Sequence, residues 1–198
     1  MILGLTGGIA AGKSTVSRLL REAGCAIVDA DEISRNITKK GAPGYEAVRR
    51  AFGPSFFSGG TLDRRKLAKS AFSSKQRTEK LNSVLHPLIL AETRRQIQRC
   101  QAQGVGVIVL DAPLLCESGL VPWCDRVAVV TCEKETRIRR AMARNNETRE
   151  AVEARILRQT SDEEREKIAD YLINNDGTEQ ETARQVKAML DNIRRERH

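Results

Sequence analysis

The sequence contains few aromatic residues and no long apolar run. Tryptophan, tyrosine and phenylalanine make up 4% of the 198 residues, too few for the row of stacking side chains with which proteins bind single-stranded nucleic acid. No uninterrupted apolar stretch is long enough to cross a bilayer. We therefore expect neither a nucleic acid partner of this kind nor a membrane-inserted segment.

Features of secretion and of metal–sulfur chemistry are also missing. Residues 1–5 enter a strand pattern directly, without the basic start and cleavage site of a secretory signal. The five cysteines are widely spaced and form no C-x-x-C pair. These absences lead us to expect a cytoplasmic protein whose cysteines are reduced thiols.

The charge is strongly positive, and its meaning is ambiguous. A formal charge of +8 and a pI near 9.5 suit nucleic acid, yet they suit an enzyme that handles two polyphosphates equally well. Charge alone does not separate these readings. The length fits one ordinary domain with a core of its own, and we expect a monomer or a weak homo-oligomer.

Short apolar segments alternate with helical patterns along the chain. The segments predict five strands, at residues 1–6, 26–29, 107–111, 126–131 and 171–174. Such alternation is typical of a parallel sheet that is covered on both faces. The predicted fold class is therefore α/β.

Two attachments interrupt this core. Residues 32–103 show helical patterns and no convincing strand, and we interpret them as a helical insertion. Residues 137–158 are polar and rich in arginine, and they form the second attachment. The predicted core comprises residues 1–31, 104–136 and 159–198, and its last five residues are expected to form a solvated helix end. Capping-box spacings mark helix starts at Ser73 with Gln76, Ser161 with Glu164, and Thr178 with Glu181.

A glycine-rich loop between the first strand and the first helix is the strongest local motif. It matches G-x-x-x-x-G-K-[ST], whose backbone N–H groups converge on phosphate oxygens at a helix N-terminus. The predicted nucleotide-binding residues of this loop are Gly7, Gly8, Ile9, Ala10, Ala11, Gly12, Lys13, Ser14 and Thr15. For Thr15 we favour packing and helix capping over a ligand contact.

The loop also predicts chemistry. Lys13 supplies a cation for the β- and γ-phosphates, and the Ser14 hydroxyl is a ligand for Mg²⁺. The guanine-specific N-K-x-D and the switch motif D-x-x-G are both absent, which disfavours a GTPase. The chain is short for a mechanical ATPase, so a small-molecule kinase is favoured.

Two carboxylates follow the second strand in Asp29-Ala30-Asp31. Ligands of open α/β sheets bind at the edge formed by the carboxyl ends of the strands, and a kinase can use a carboxylate there to take the acceptor's proton. The alternative is that either residue only caps the next helix. For Asp29, holding Mg²⁺-bound water is a further alternative.

Several motifs in one order give a specific resemblance. They are the phosphate loop, Asp29-Ala30-Asp31, Leu85-His86-Pro87-Leu88, Pro113-Leu114-Leu115-Cys116-Glu117, Arg155-Ile156-Leu157-Arg158-Gln159 and a late segment from Ala169 to Gly177. Together they resemble the dephospho-CoA kinase family over nearly the whole chain. The chain departs from the family at Ala10-Ala11, where Gly-Ser is frequent, within the variable part of the loop.

The resemblance implies a three-layer P-loop NTPase core, a helical region that binds coenzyme A at residues 32–103, and a lid at residues 137–158. It implies phosphorylation of the ribose 3′-hydroxyl of dephospho-CoA by ATP with Mg²⁺, and no nucleic acid or membrane partner. Asp31 is then the catalytic base. Asn175 and Gly177 border the adenine pocket.

The family resemblance and the chemistry of the residues together predict a site that binds the acceptor. Its predicted residues are Asp29, Arg64, Arg65, His86, Pro87, Leu114 and Glu117. Each charged or polar member has another reading: the paired arginines suit a solvated face, His86 suits a core, and Glu117 suits the N-terminus of a helix.

Three residues of the core and the lid also have two possible roles each. Asp111 ends a strand, where it either holds Mg²⁺ through water or caps the turn at Pro113. Arg140 and Arg144 are four residues apart on one helix face, so both either point into the cleft or form a solvated basic face. We predict that Arg140 touches the transferring phosphoryl group.

Two other functions compete with this reading. A shikimate or nucleoside kinase shares the loop and often the acidic pair, but a late Gly-Gly-Gly acceptor loop is absent and His86-Pro87 is present. A non-catalytic nucleotide- or nucleic-acid-binding module suits the charge. Carboxylates such as Asp31 and Asp111 near a polyanion argue against that module, since they need a metal or a proton-transfer role to offset repulsion.

Overall fold

The computed structural model describes residues 1–71 and 73–196. These residues form two compact units, Asp29–Arg99 and the remainder of the described chain. The described strands are β1 Ile2–Gly7, β2 Ala26–Asp29, β3 Phe57–Ser58, β4 Thr61–Leu62, β5 Ile108–Asp111, β6 Arg126–Thr131 and β7 Tyr171–Asn174. The helices are α1 Lys13–Glu22, α2 Ala30–Asn36, α3 Pro43–Phe52, α4 Arg64–Ala71, α5 Lys75–Ala102, α6 Lys134–Asn145, α7 Arg149–Ile156, α8 Asp162–Lys167 and α9 Glu179–Arg195.

A five-stranded sheet with the order β2-β5-β1-β6-β7 forms the core. Its central strand β1 runs parallel to β5 on one side and to β6 on the other. Leu3 and Leu5 of β1 are fully buried, because both faces of this strand are covered. All five strands predicted from the apolar segments are present, and the predicted α/β class with a parallel sheet is confirmed.

The main hydrophobic core joins the sheet to α1 and α9. Val16 and Leu20 of α1 pack in one cluster with Val186 and Leu190 of α9 and with the buried side chains of the sheet. The strand-to-helix turn that begins α1 is therefore held on a rigid base. Arg195 ends α9 within the stretch expected to be a solvated helix end, of which residues 197 and 198 lie outside the described residues.

Two of the three predicted capping boxes are confirmed. Ser161 accepts a hydrogen bond from Glu164 N at 3.1 Å, and the Glu164 carboxylate accepts from Ser161 N at 3.1 Å. Thr178 and Glu181 repeat this reciprocal pattern at the start of α9. Both boxes satisfy N–H groups that a helix start would leave without partners.

The predicted box of Ser73 with Gln76 is wrong by one residue. The helix begins at Lys75, and Ser74 Oγ accepts from Arg77 N at 3.3 Å. Because a capping side chain reaches an N–H three residues ahead, the residue directly before the helix is the one with the right geometry. Because residues 73 and 74 are both serine, the sequence alone did not show which of them caps the helix.

The unit Asp29–Arg99 is helical apart from one small hairpin. Phe57 pairs with Leu62 and Ser58 with Thr61 in an antiparallel ladder, joined by a turn at residues 59–60. The expectation of no strand in residues 32–103 is therefore corrected. Strands of two residues are too short to show an alternating pattern, which is why the sequence did not reveal them.

The hairpin belongs to a small core of its own within this unit. Leu62 packs with Val48 of α3 and Leu67 of α4 in a cluster bordered by partly buried phenylalanines.

None of the helices in residues 1–71 and 73–196 has the length and apolar character needed to span a bilayer. The assignment of residues 32–103 to acceptor binding and of residues 137–158 to a lid stays a prediction.

Candidate active site

The glycine-rich loop between β1 and α1 is tightly curled. Ala11 N donates to Gly8 O at 3.0 Å, and Thr15 N donates to Gly12 O at 2.9 Å. Gly12 has a φ of 95°, in the left-handed region that glycine adopts without strain. The loop thus has the curled backbone that the phosphate-binding motif predicts.

Two side chains press on the loop glycines. A Cβ atom at Gly12 would lie 1.8 Å from Asn175 Nδ2, and one at Gly8 would lie 2.3 Å from a terminal nitrogen of Arg137. Neither distance leaves room for a methyl group. Glycine is therefore favoured at these positions for two reasons. The turn requires an unusual backbone conformation at Gly12, and neighbouring side chains occupy the space of a Cβ atom at both positions.

Ala10 is strained, and its side chain is used in packing. It has a φ of 58°, a left-handed conformation that costs a non-glycine residue about 1–2 kcal/mol. The side chains of Ala10 and Ile9 pack against a cluster formed by Ile138 and Ala141 of α6 and Val152 of α7. The tip of the loop is therefore part of the small core beneath the two helices of the predicted lid.

Lys13 and Asp111 form an ion pair between the loop and the end of β5. Their side chains are 19% and 5% exposed, respectively. Asp111 thus has a cationic partner, and its predicted role in holding Mg²⁺ through water stays a prediction. Ser14, in the first turn of α1, is exposed.

Asn175 ties the loop to α9. Its Nδ2 donates to Ala11 O at 2.8 Å, and its Oδ1 accepts from Thr182 Oγ1 at 2.9 Å. Both groups of this buried amide are therefore satisfied. Its predicted place beside adenine stays a prediction, and the structure adds a support for the phosphate loop that the sequence did not reveal.

A surface groove lies beside Asn174, the residue before Asn175. It has a volume of about 620 Å³ and is lined by Asn174, Gly177, Glu181, Arg184 and Gln185. A Cβ at Gly177 would lie 2.2 Å from Glu181 Oε2. This carboxylate belongs to the capping box that Glu181 forms with Thr178. Gly177 therefore leaves room for a helix cap at the edge of this groove.

Arg140 of α6 reaches the strand ends rather than solvent. It donates to Asn175 O at 3.0 Å and contacts Cys132 Sγ at 3.3 Å. Arg139 and Arg144 are exposed. The three neighbouring arginines thus differ in environment, and the predicted contact of Arg140 with a phosphoryl group stays a prediction.

The thiol beside Arg140 is held in its protonated form. Burial, followed by a hydrogen bond to Asp176, raises the pKa of Cys132 to about 11. Its Sγ donates to Asp176 Oδ1 at 3.0 Å, and the same oxygen accepts from Glu133 N at 2.8 Å. This network connects the end of β6 to the turn after β7.

Arg137, the first residue of the arginine-rich segment 137–158, is buried. Its side chain is 2% exposed and pairs with Asp162 at 2.6 Å, and its Nε donates to Ile9 O at 3.0 Å. The buried residues of α6 are Arg137, Ile138 and Ala141. The helical spacing of these three residues was the sequence signal that Arg137 faces the core. An arginine at such a position needs a partner for its charge.

In the unit Asp29–Arg99, the two predicted carboxylates have different environments. Asp29 Oδ1 accepts from Glu32 N at 2.9 Å and caps α2, so the capping reading describes its contact. Asp31 is exposed in the first turn of the same helix. Of the pair, Asp31 is thus the more exposed residue.

Arg64 is engaged within this unit. It donates to Ser34 O at 3.1 Å and to Arg35 O at 2.7 Å, and it also hydrogen-bonds the Thr38 hydroxyl. Burial and the nearby charge of Arg35 lower its pKa. Arg64 therefore satisfies carbonyl groups at the C-terminal end of α2, whereas Arg65 is exposed.

The remaining acceptor residues are accessible or partly so. His86 and Pro87 are exposed within α5, which contradicts the core reading for His86. Leu114 is 50% exposed. An exposed apolar side chain such as Leu114 can contact a ligand. The acceptor-binding role of His86, Pro87 and Leu114 stays a prediction.

Glu117 does not stand at the N-terminus of a helix of its own. Its Oε1 accepts from Thr160 N at 3.0 Å and from Thr160 Oγ1 at 2.7 Å, just before α8. Burial opposes its ionisation, but the two hydrogen bonds from Thr160, a backbone hydrogen bond at Glu117 and the charge of Arg165 together lower its pKa. The carboxylate therefore fastens the turn after β5 to the start of α8.

Comparison with known proteins gives one consistent family. The family model described as CoaE: Dephospho-CoA kinase matches residues 1–181. A curated relative, the dephospho-CoA kinase of Geobacillus kaustophilus strain HTA426, is 42% identical over 191 residues, which cover 96% of this chain and 95% of the relative.

Solved structures agree in fold. The dephospho-CoA kinase from Campylobacter jejuni superposes with a TM-score of 0.75 at 26% identity, covering 100% of this chain and 98% of that chain. A shikimate kinase from Bacteroides thetaiotaomicron has a TM-score of 0.56 at 12% identity, covering 98% of each chain. The second likeness extends to the fold alone.

Proposed function

This chain belongs to the dephospho-CoA kinase family of ATP-dependent transferases, and we propose that it transfers the γ-phosphoryl group of MgATP to the ribose 3′-hydroxyl of dephospho-CoA. The observation that carries the proposal is the family match over nearly the full chain. The curled loop with Lys13 supports it, since phosphoryl transfer relies on positioning and charge stabilisation.

On the donor side, the loop N–H groups and the start of α1 bind the phosphates. Lys13, which here pairs with Asp111, turns to the β- and γ-phosphates when the nucleotide arrives. An ammonium on a flexible stem can exchange one anion for another at little conformational cost. Asn175 and Gly177 border the adenine.

The metal partner in this proposal is Mg²⁺, bound with ATP. The Ser14 hydroxyl and the Asp111 carboxylate are oxygen groups of the kind that Mg²⁺ prefers, with Asp111 acting through water. The ion would neutralise charge on the phosphate oxygens. Release of Asp111 from Lys13 makes its carboxylate available for this role.

On the acceptor side, Asp31 takes the proton of the attacking hydroxyl. A carboxylate within hydrogen-bond reach of a hydroxyl can act as its general base, and Asp31 is an exposed residue in the first turn of α2. The proposed acceptor-site residues are Asp29, Arg64, Arg65, His86, Pro87, Leu114 and Glu117. Arg140 stabilises charge on the transferring group.

The protein is proposed to act in the cytoplasm as a monomer or weak homo-oligomer. All five cysteines are free, as in a compartment that keeps thiols reduced. Size-exclusion chromatography with light scattering checks the oligomeric state. A stable larger assembly at micromolar concentration would contradict this part of the proposal.

An ADP-release assay with MgATP and a panel of acceptors tests the function. We expect turnover with dephospho-CoA and none with shikimate or a nucleoside, and mass spectrometry of the product should show one added phosphate. Digestion with a 3′-nucleotidase should then regenerate dephospho-CoA. Turnover with another acceptor in place of dephospho-CoA would overturn the proposal.

A further inference from the structure

The backbone of Ile9 in the phosphate loop is held from two sides. Its N–H donates to Gln159 Oε1 at 2.9 Å, and its carbonyl accepts from Arg137 Nε at 3.0 Å. Arg137 is the first residue of the predicted lid, and Gln159 directly follows the last. The first residue of that segment and the residue directly after its end therefore contact the same loop residue.

The side chain of Ile9 makes a third contact with the same segment. It packs, together with Ala10, against the apolar cluster that α6 and α7 share. Backbone and side chain thus engage the lid segment independently. The tip of the loop and the two helices form one packed unit within this part of the chain.

Both partners of Ile9 are anchored in turn. Arg137 is paired with Asp162 at 2.6 Å. Thr160, the neighbour of Gln159, gives two hydrogen bonds to Glu117. A side chain on such a fixed support can hold the loop in one shape, because its own position loses little freedom on bonding.

The loop itself needs support from outside. Ala10 occupies the left-handed region at a cost, and such conformations persist only when the surrounding contacts impose them. The sequence did not reveal the contact with Gln159, which is 150 positions from Ile9 in the chain.

We propose that Gln159 is a positioning residue of the phosphate loop, and that with Arg137 it couples the loop to both ends of the predicted lid through Ile9. The inference rests on the proposed function, because the loop shape that Gln159 maintains is the one that receives the phosphates of ATP. Gln159 itself does not touch the substrate. Occupation of the loop by ATP then stabilises the lid ends, and the lid ends preserve the loop for ATP.

The test replaces the hydrogen-bond acceptor and keeps the length of the side chain. Gln159→Met should weaken binding of a non-hydrolysable ATP analogue by about threefold to tenfold, the factor expected for one hydrogen bond. KM for ATP should rise by a similar factor, while KM for dephospho-CoA stays within about twofold. The matched control is Gln103→Met at an exposed position in the turn after α5, which should change neither value.

Hydrogen exchange at single amides gives a second measurement that does not depend on activity. In Gln159→Met, the Ile9 amide should exchange faster, whereas amides of β5 should be unchanged. Unchanged analogue affinity together with unchanged Ile9 exchange would overturn the inference. A lower melting temperature with wild-type affinity for the analogue would also overturn it, because Gln159 would then contribute to stability alone.

Failure of the proposed function is recognisable separately. If the wild type binds the ATP analogue but does not phosphorylate dephospho-CoA, the acceptor assignment fails. The effect of Gln159→Met on analogue binding would still support the inference. If the wild type turns over dephospho-CoA and Gln159→Met binds the analogue normally, the function stands and the coupling through Ile9 is wrong.

Discussion

Lys13 in the phosphate loop is paired with Asp111 at the end of β5, although the two residues are 98 positions apart. The Asp111 side chain is only 5% exposed, and Lys13 is its ion-pair partner. Removing one member of a largely buried pair leaves the other without compensation. The pair therefore links the chemistry of the loop to the stability of the fold.

The first prediction concerns Lys13→Ala. Turnover should fall to a few per cent or less, because the charge on the transferring phosphoryl group loses its cation. The variant should also be less stable by about 2–4 kcal/mol, since it leaves Asp111 as an unpaired charge. Steady-state kinetics and urea unfolding measure the two effects.

Lys13→Ala combined with Asp111→Asn is the matched control for this prediction. The double variant removes both charges, so it should regain most of the lost stability without regaining turnover. Retention of more than about a tenth of the wild-type turnover by Lys13→Ala would contradict the catalytic assignment.

The second prediction separates chemistry from binding at Asp31. Asparagine keeps the size and polarity but cannot accept a proton at neutral pH, so Asp31→Asn should lower kcat by roughly 10²- to 10⁴-fold. Calorimetry should show dephospho-CoA binding within several-fold of wild type. Glu32→Gln, an exposed neighbour in the same turn, should be nearly silent. A rise in KM with an unchanged kcat would make Asp31 a binding residue.

The third prediction compares two adjacent arginines. Arg140→Lys should lose far more kcat than ATP affinity, because a guanidinium can form two parallel hydrogen bonds to phosphate oxygens and an ammonium cannot. Arg139→Lys is the control, since Arg139 is exposed. Arg140 also donates to Asn175 O, so a loss confined to ATP affinity would indicate a supporting role.

Hydrogen exchange tests the lid in the same experiment series. Amides in residues 137–158 should gain protection when an ATP analogue is added, while residues 107–110 stay protected throughout. The docked contacts of Ile9 predict that protection begins at the ends of this segment. Unchanged exchange, together with equal kinetic effects of the two arginine substitutions, would remove the lid from the mechanism.

The fourth prediction uses the ionisation of Glu117. Its pKa is lowered in the folded protein, so the stability that its charge contributes is present above the unfolded pKa of about 4.3 and is lost as pH falls through the folded value. Glu117→Gln should therefore be less stable than wild type by about 1 kcal/mol at pH 7. The difference should disappear in strong acid.

Urea unfolding of both proteins across the acidic range measures this difference. Glu46→Gln, an exposed glutamate in α3, is the control and should show little change at either end. A difference between Glu117→Gln and wild type that stays constant across the whole pH range would contradict the assignment. Glu117 would then act through packing rather than through its charge.

Local patterns were sufficient for much of the fold. The five strands of the sheet were identified from short apolar runs. β1, β5 and β6 are buried almost along their whole length, as expected for strands that are covered on both faces. The phosphate loop was identified because its glycines and its lysine act within eight consecutive residues. Ser161 and Thr178 were correctly assigned as helix caps, since a cap and its partner are three residues apart.

Local patterns failed in two cases: where two adjacent residues were equally suitable as a helix cap, and where a strand was very short. Ser74 rather than Ser73 caps α5, and the two serines differ only in where the helix begins. The hairpin of β3 and β4 has two residues in each strand. Its pairing depends on packing of Leu62 against Val48 and Leu67, which no alternating pattern encodes.

By itself, the sequence determined the sheet, the phosphate loop and the family, because each depends on neighbouring residues or on motifs in a fixed order. Only the tertiary structure decided the partners of the charged and polar side chains. Lys13 pairs with Asp111, Ile9 with Gln159, and Arg64 with the end of α2. A buried polar group must find a partner wherever the fold brings one within about 3 Å. That distance is set by the packing of remote segments, and no local pattern in the sequence carries it.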